Sequence, residues 1–127
     1  MSALDKRKHR KQMTKAEIIA VEDVVQAQPN WVLGPHAIAR LEKKGITKEQ
    51  VLETLKIGYV IEVNRNNDLC VAFRKEYGAF AVCVVVSLQT RWVVTAWKNS
   101  AKDKHRRLDF SNYRWGVDLT REMEAFA

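Results

Sequence analysis

The sequence predicts an α+β fold: three N-terminal helices packed on one face of a four-stranded antiparallel β-sheet, with a basic N-terminal arm and an aromatic C-terminal extension. Two observations lead there. Apolar residues recur at helical spacing up to Gly58, and from Tyr59 onward they alternate or run in strand-length stretches. The strand-like stretches are joined by short turn-rich links, which suit an antiparallel meander with the helices gathered on one side. At 127 residues and 46% hydrophobic content the chain is one domain with enough apolar surface for a single core. The expected division is an arm over 1–13, a core over 14–99 and an extension over 100–127.

Residues 1–13 read as a flexible basic arm. Thr14-Lys15-Ala16-Glu17 then has the capping-box form, a hydroxyl residue followed three positions on by Glu. Ile18, Val21, Val24 and Val25 follow at helical spacing, so a helix is expected over 15–28, ending before Pro29. Gly34 and Pro35 suit the cap and first turn of a second helix, where proline's missing donor does no harm. Ile38 and Leu41 face inward in that helix, and Gly45 closes it. Thr47 to Gln50 opens a third helix as Thr14 opens the first; Val51, Leu52 and Leu55 form its buried stripe and Gly58 stops it.

The period then changes to two. Tyr59, Ile61 and Val63 alternate with Val60, Glu62 and Asn64, and "NRNND" supplies turn residues. Leu69, Val71 and Phe73 face one way while Cys70, Ala72 and Arg74 face the other. "AFAVCVVVSL" is apolar on both faces, as a central strand would be. "WVVTAW" is the fourth strand, with Trp92, Val94 and Ala96 expected toward the helices and Val93, Thr95 and Trp97 toward the opposite face. That second face, holding Thr95, Trp97 and Arg74, could seat a nucleotide, or the C-terminal segment could fold over it and bury Trp97 beneath Phe110 or Trp115. Gly116 to Asp118 precede a short terminal helix.

Several classes are disfavoured. No apolar run approaches the roughly 20 residues of a membrane helix, so no membrane partner is expected. "MSALDKRKHRKQ" has no apolar segment after its charges, unlike a secretory signal, and a cytoplasmic location follows by default. Cys70 and Cys83 lie in strand-like stretches and read as buried thiols. With no Cys-x-x-Cys and no paired histidines among His9, His36 and His105, neither a metal nor another cofactor is expected.

The charge of +7 is unevenly spread. Residues 1–15 hold Lys6, Arg7, Lys8, Arg10, Lys11 and Lys15 against Asp5 alone. Residues 98–107 hold Lys98, Lys102, Lys104, Arg106 and Arg107 against Asp103 alone. Two basic clusters on a slightly acidic body are the footprint of a phosphate-binding surface, or else of a solvated tail and a solubilising loop. Trp97 and Tyr113 flank the second cluster and could stack on an unpaired base. His36 and Arg40, four residues apart, share a helical face near a helix N-terminus, where phosphate is favoured. From spacing alone they read first as an ordinary first-turn residue and a surface cation.

"HAIARLEKKGITKEQVLETLKIGYVIE" resembles the opening of an uncharacterised bacterial and phage family, domain of unknown function 4258, through His36, Ala37, Arg40, Gly45, Ile46, Thr47 and Gly58. "VVTAWKN" resembles its terminal strand, and the likeness spans roughly residues 35–99. The family is similar in architecture to the barnase, EndoU, colicin and RelE group of small ribonucleases. The resemblance implies metal-independent RNA cleavage, in which the 2′-hydroxyl attacks the adjacent phosphorus with help from a base, an acid and cations. Carried over, His36 would transfer a proton, as histidine can near neutrality. Arg40 would grip the scissile phosphate and Thr95 would hydrogen-bond it. His105, with Arg106, is a candidate second proton-transfer group from the charge pattern itself. Two alternatives remain: a non-enzymatic nucleic-acid-binding module, and a phage effector that binds a host protein. A toxin of this kind could also carry a cognate inhibitor as partner.

Overall fold

The computed structural model describes residues 6–102, 111 and 113–126. Both capping boxes form. The Thr14 hydroxyl accepts from Glu17 N–H at 3.1 Å while the Glu17 carboxylate accepts from Thr14 N–H at 2.9 Å, opening α1 (Lys15–Ala27). Thr47 and Gln50 repeat the exchange, at 3.0 Å in each direction, to open α3 (Lys48–Ile57). Between them Pro35 begins α2 (Pro35–Lys43). That helix ends in a Schellman turn: Gly45, at φ 70°, donates to Glu42 O at 3.0 Å, and Ile46 N–H reaches Leu41 O at 2.9 Å. Ile46 is buried beyond the turn and holds the exit against the core. Gly58 ends α3 for a steric reason. A Cβ there would stand 2.3 Å from Thr54 O and 2.6 Å from Arg74 O, so only hydrogen fits.

Four long strands follow as a meander, β2 (Tyr59–Asn66), β3 (Asp68–Tyr77), β4 (Phe80–Ser87) and β5 (Val93–Ser100), each antiparallel to the next. The sheet has five strands rather than four. Arg7–His9 of the expected arm form β1, which pairs with β2 through Arg7↔Asn64, Lys8↔Val63 and His9↔Glu62. This strand has no apolar alternation to announce it. It is held by its ladder and by ion pairs: Arg7 grips Glu62 at 2.7 and 3.1 Å, and Lys8 reaches Glu17 at 2.6 Å. A fourth helix, α4 (Leu119–Met123), is capped by Asp118 and buries Leu119 and Met123 against α1.

The main core lies between α1, α3 and the sheet, around Val21, Val25, Val51, Leu55, Val71 and Phe73. Leu69, Val71 and Phe73 face it, as the alternation implies. A smaller cluster, Ile61, Ala72 and Cys83 with Tyr59, Val85 and Trp97 against it, occupies the opposite face. Two bulges alter the expected pattern. In β2 the pairing jumps from Val60↔Phe73 to Glu62↔Ala72, so Ile61 is an extra residue; Val60 and Val63 go to the main core while Tyr59 and Ile61 go to the second face. In β5 it jumps from Val86↔Val93 to Val85↔Thr95, which makes Val94 the extra residue. Val93 is therefore buried in the main core and Val94 is 54% exposed, the reverse of the expected order. Trp92 lies outside the core as well, with its ring near Gly34.

Candidate nucleic-acid interface

Helix α2 runs beside β5, the last strand of the sheet. Leu41 fixes its rotation by taking the buried position, which leaves Ala37, Arg40 and Lys44 on the flank facing the strand. These residues line a cleft with Val93, Val94, Thr95 and Ala96. The β5 bulge turns Val94 out of the core and into the wall of this cleft. Lys44 Nζ donates to Ala96 O at 3.0 Å and ties the helix end to the strand. Lys98 continues the line. Its ammonium lies 4.5 Å from the centre of the Phe80 ring and so close to Gly45 that a Cβ there would meet it at 3.0 Å. Arg40, Lys44 and Lys98 thus follow one seam between helix and edge strand, and among the described residues no acidic side chain lines the cleft that holds the first two. Such a row of donors can neutralise successive negative charges.

Of the sequence candidates, Arg40 and Thr95 both line this cleft and both are exposed. Thr95, however, pairs with Val85 of the second face, so its side chain lies on the side of the sheet away from α2, and it is the strand edge there that faces Arg40. His36 is exposed in the first turn of α2, one turn before Arg40. Lys98 lies farther along the same strand, and Lys102, in the turn after β5, is exposed with its N–H on Ser100 Oγ at 3.2 Å. His105, Lys104, Arg106 and Arg107 fall outside the described residues, as does Phe110.

Arg74 and Trp97 are on the second sheet face, where Tyr59, Arg74, Cys83 and Trp97 form one cross-strand row. Trp97 is half-buried in that row. Arg74 is only 1% exposed; its Nε reaches Glu76 at 3.3 Å and its Nη2 reaches Ser100 O at 3.2 Å. Tyr113 is engaged by the N-terminal segment. Its hydroxyl accepts from Arg7 Nη2 at 2.7 Å, the guanidinium lies 4.3 Å from its ring centre, and His9 meets it edge-on. Trp115 packs against the main core, so it does not cover Trp97 in the way the sequence allowed.

Two further features escaped the sequence reading. His9, Arg10 and Lys11 join Tyr59, Ile61, Arg74 and Glu76 around a cleft on the second face. Arg10 is anchored there by Glu22 at 2.9 Å and by Val60 O at 2.9 Å. The Tyr59 hydroxyl donates to Glu76 at 2.5 Å; burial, then this carboxylate, push the phenol up to about 12. Burial works against ionisation of Glu76, but the bonds from Tyr59 and Arg74 hold its carboxyl below the usual range. The only advance signal was the charge of the arm, which carries no information about where a strand will dock.

Fold and seam together define a small α+β domain with a cationic cleft between a helix and an edge strand. Residues 33–98, more than half the chain, match the family described as Domain of unknown function (DUF4258), and the chain belongs to that family. The match includes all of α2 and the whole cleft beside β5, and leaves out β1 and α4. Comparison with curated proteins and with solved structures gave no match.

Proposed function

We propose that the protein handles RNA in the cytoplasm, holding the phosphate backbone along the seam between α2 and β5 and cleaving it without a metal, as the toxin-like small ribonucleases do. The observation that carries this reading is the gathering of Arg40 and Lys44 along the edge of β5 at Thr95, with no acidic lining among the described residues and His36 a helical turn away. In the reaction the 2′-oxygen bonds to phosphorus as its proton leaves to His36. The bond from phosphorus to the 5′-oxygen breaks, and that oxygen takes a proton from a second donor, the role suggested for His105. Arg40 and Lys44 meet the charge gathering on the non-bridging oxygens.

The test is incubation of total tRNA and mRNA with wild type, His36→Ala and Arg40→Ala in the presence of EDTA. Discrete fragments ending in 2′,3′-cyclic phosphate are expected from wild type, with losses of about a hundredfold or more in each variant. Intact RNA with pure, folded wild type would remove the nuclease. A second reading, RNA binding without cleavage, is favoured by one observation: His36 is exposed, and no hydrogen bond from the described residues orients its ring. Tight, salt-sensitive binding of uncut RNA, unchanged in His36→Ala, would select it.

A further inference from the structure

We propose that the cleft on the second sheet face is a binding site for a phosphate group, anchored by Arg74 and closed by the segment following β1. Arg74 is an arginine out of place. Arg74 sits in a cross-strand row with Tyr59, Cys83 and Trp97, and both Cys83 and Arg74 are essentially inaccessible. A guanidinium has five N–H donors in a rigid plane and stays charged, so burying one demands partners around its whole edge. Arg74 has them on two sides only. Nε reaches Glu76 at a long 3.3 Å, Nη2 reaches a carbonyl, and Nη1 is buried with no hydrogen-bond partner among the described residues. Glu76 is itself shared with Tyr59, so its one engaged oxygen serves two donors.

The surroundings say what would complete the set. Arg74 lines a cleft of about 370 Å³ whose other walls are His9, Arg10, Lys11, Tyr59, Ile61 and Glu76. Arg74, Arg10 and Lys11 face Glu76, and with Arg10 paired to Glu22 the group keeps one net positive charge, which suits an anion. The cations come from two directions, Arg74 from β3 and Arg10 and Lys11 from the turn after β1. Arg10 is already committed to Glu22 and Val60 O, so its contribution is charge at a fixed position. Arg74 supplies the orienting fork, which matches the geometry of phosphate oxygens. The space is at the lower end of that for small-ligand sites, large enough for a mononucleotide. No lining residue is shared with the cleft beside α2, so the site is independent of the RNA-cleaving reading.

The phosphate could belong to inorganic phosphate or to a nucleotide, and titration calorimetry on the full chain at constant ionic strength separates them. Inorganic phosphate, 5′-AMP and adenosine are titrated in turn. Saturable one-to-one binding of both phosphates with none for adenosine is expected. Equal affinities assign the site to the phosphate group alone, and tighter 5′-AMP assigns it to a nucleotide. Lys11→Glu, an exposed change, should weaken binding about tenfold, and Arg74→Gln should abolish it. If Arg74→Gln fails to fold, Lys11→Glu still decides. No saturable binding by wild type at millimolar ligand, or an affinity unmoved by Lys11→Glu, would overturn the site.

Discussion

Glu17 joins three distant parts of the chain. It caps the first turn of α1, takes Lys8 Nζ of β1 at 2.6 Å, and accepts Leu119 N–H of α4 at 3.0 Å. Its side chain is almost wholly buried. Burial alone would raise its carboxyl, but the bond from Lys8 and those from Thr14 and Leu119 outweigh that and lower it. The sign of the linkage follows. A carboxyl lowered in the folded state contributes stability that is fully present above the unfolded-state pKa. That contribution is lost as pH falls through the folded value. Glu17→Gln keeps the shape but leaves the Lys8 ammonium facing a neutral amide. Its expected cost is about 2–3 kcal/mol at neutral pH. The gap from wild type should be smaller at an acid pH, below the unfolded-state carboxyl range, than at neutral pH, because Glu17 takes up its proton as pH falls through its lowered folded value. Urea unfolding at the two pH values measures it; an equal gap at both would mean that the carboxylate's charge contributes nothing.

At the scale of elements, β1 is the strand with the least apolar content and the most reliance on side-chain pairing. Arg7 holds Glu62 with two hydrogen bonds and also donates to Tyr113, so one guanidinium links β1, β2 and the C-terminal segment. Arg7→Ala is expected to cost about 1 kcal/mol overall, while the amides of β1 lose hydrogen-exchange protection well before those of β3 and β4. Unchanged exchange in β1 would show that the backbone ladder suffices without the pair. This strand also marks the limit of what the sequence discloses. The helix starts were legible because a capping box is local: Thr14 with Glu17 and Thr47 with Gln50 are complete signals within four residues. So was the alternation of β3, which runs without interruption. β1 was hidden because its stabilising partners, Glu62, Glu17 and Tyr113, lie 9 to 106 positions away. The bulges at Ile61 and Val94 were hidden too, since each is set by pairing with a neighbour and reverses the apparent face of the residues around it. In the candidate site, spacing alone put His36 and Arg40 on one helical flank. That Arg40 lies beside the edge of β5, and that Lys44 and Lys98 extend its line, depends on how α2 is laid against β5.

At the scale of the whole molecule, 22 lysines and arginines against 15 acids leave an excess whose placement matters more than its size. Much of the N-terminal charge is consumed internally: Arg7, Lys8 and Arg10 are each paired with a glutamate. The seam along β5 is different, because Lys44 and Lys98 meet a carbonyl and a ring there, and among the described residues no carboxylate pairs with either. If RNA follows that seam, Arg40, Lys44, Lys98 and Lys102 neutralise about four phosphates. The logarithm of the binding constant should then fall with the logarithm of salt with a slope of about −3 for a single strand. Arg40→Glu combined with Lys98→Glu should roughly halve the slope and weaken binding at low salt. Lys15→Glu, at the start of α1 and away from the seam, should leave the slope as it is. Fluorescence anisotropy with a labelled single-stranded RNA across a salt series measures all three. A slope that responds equally to Lys15→Glu and to the seam variants would mean that RNA feels only the net charge, and the seam would lose its standing as the binding surface.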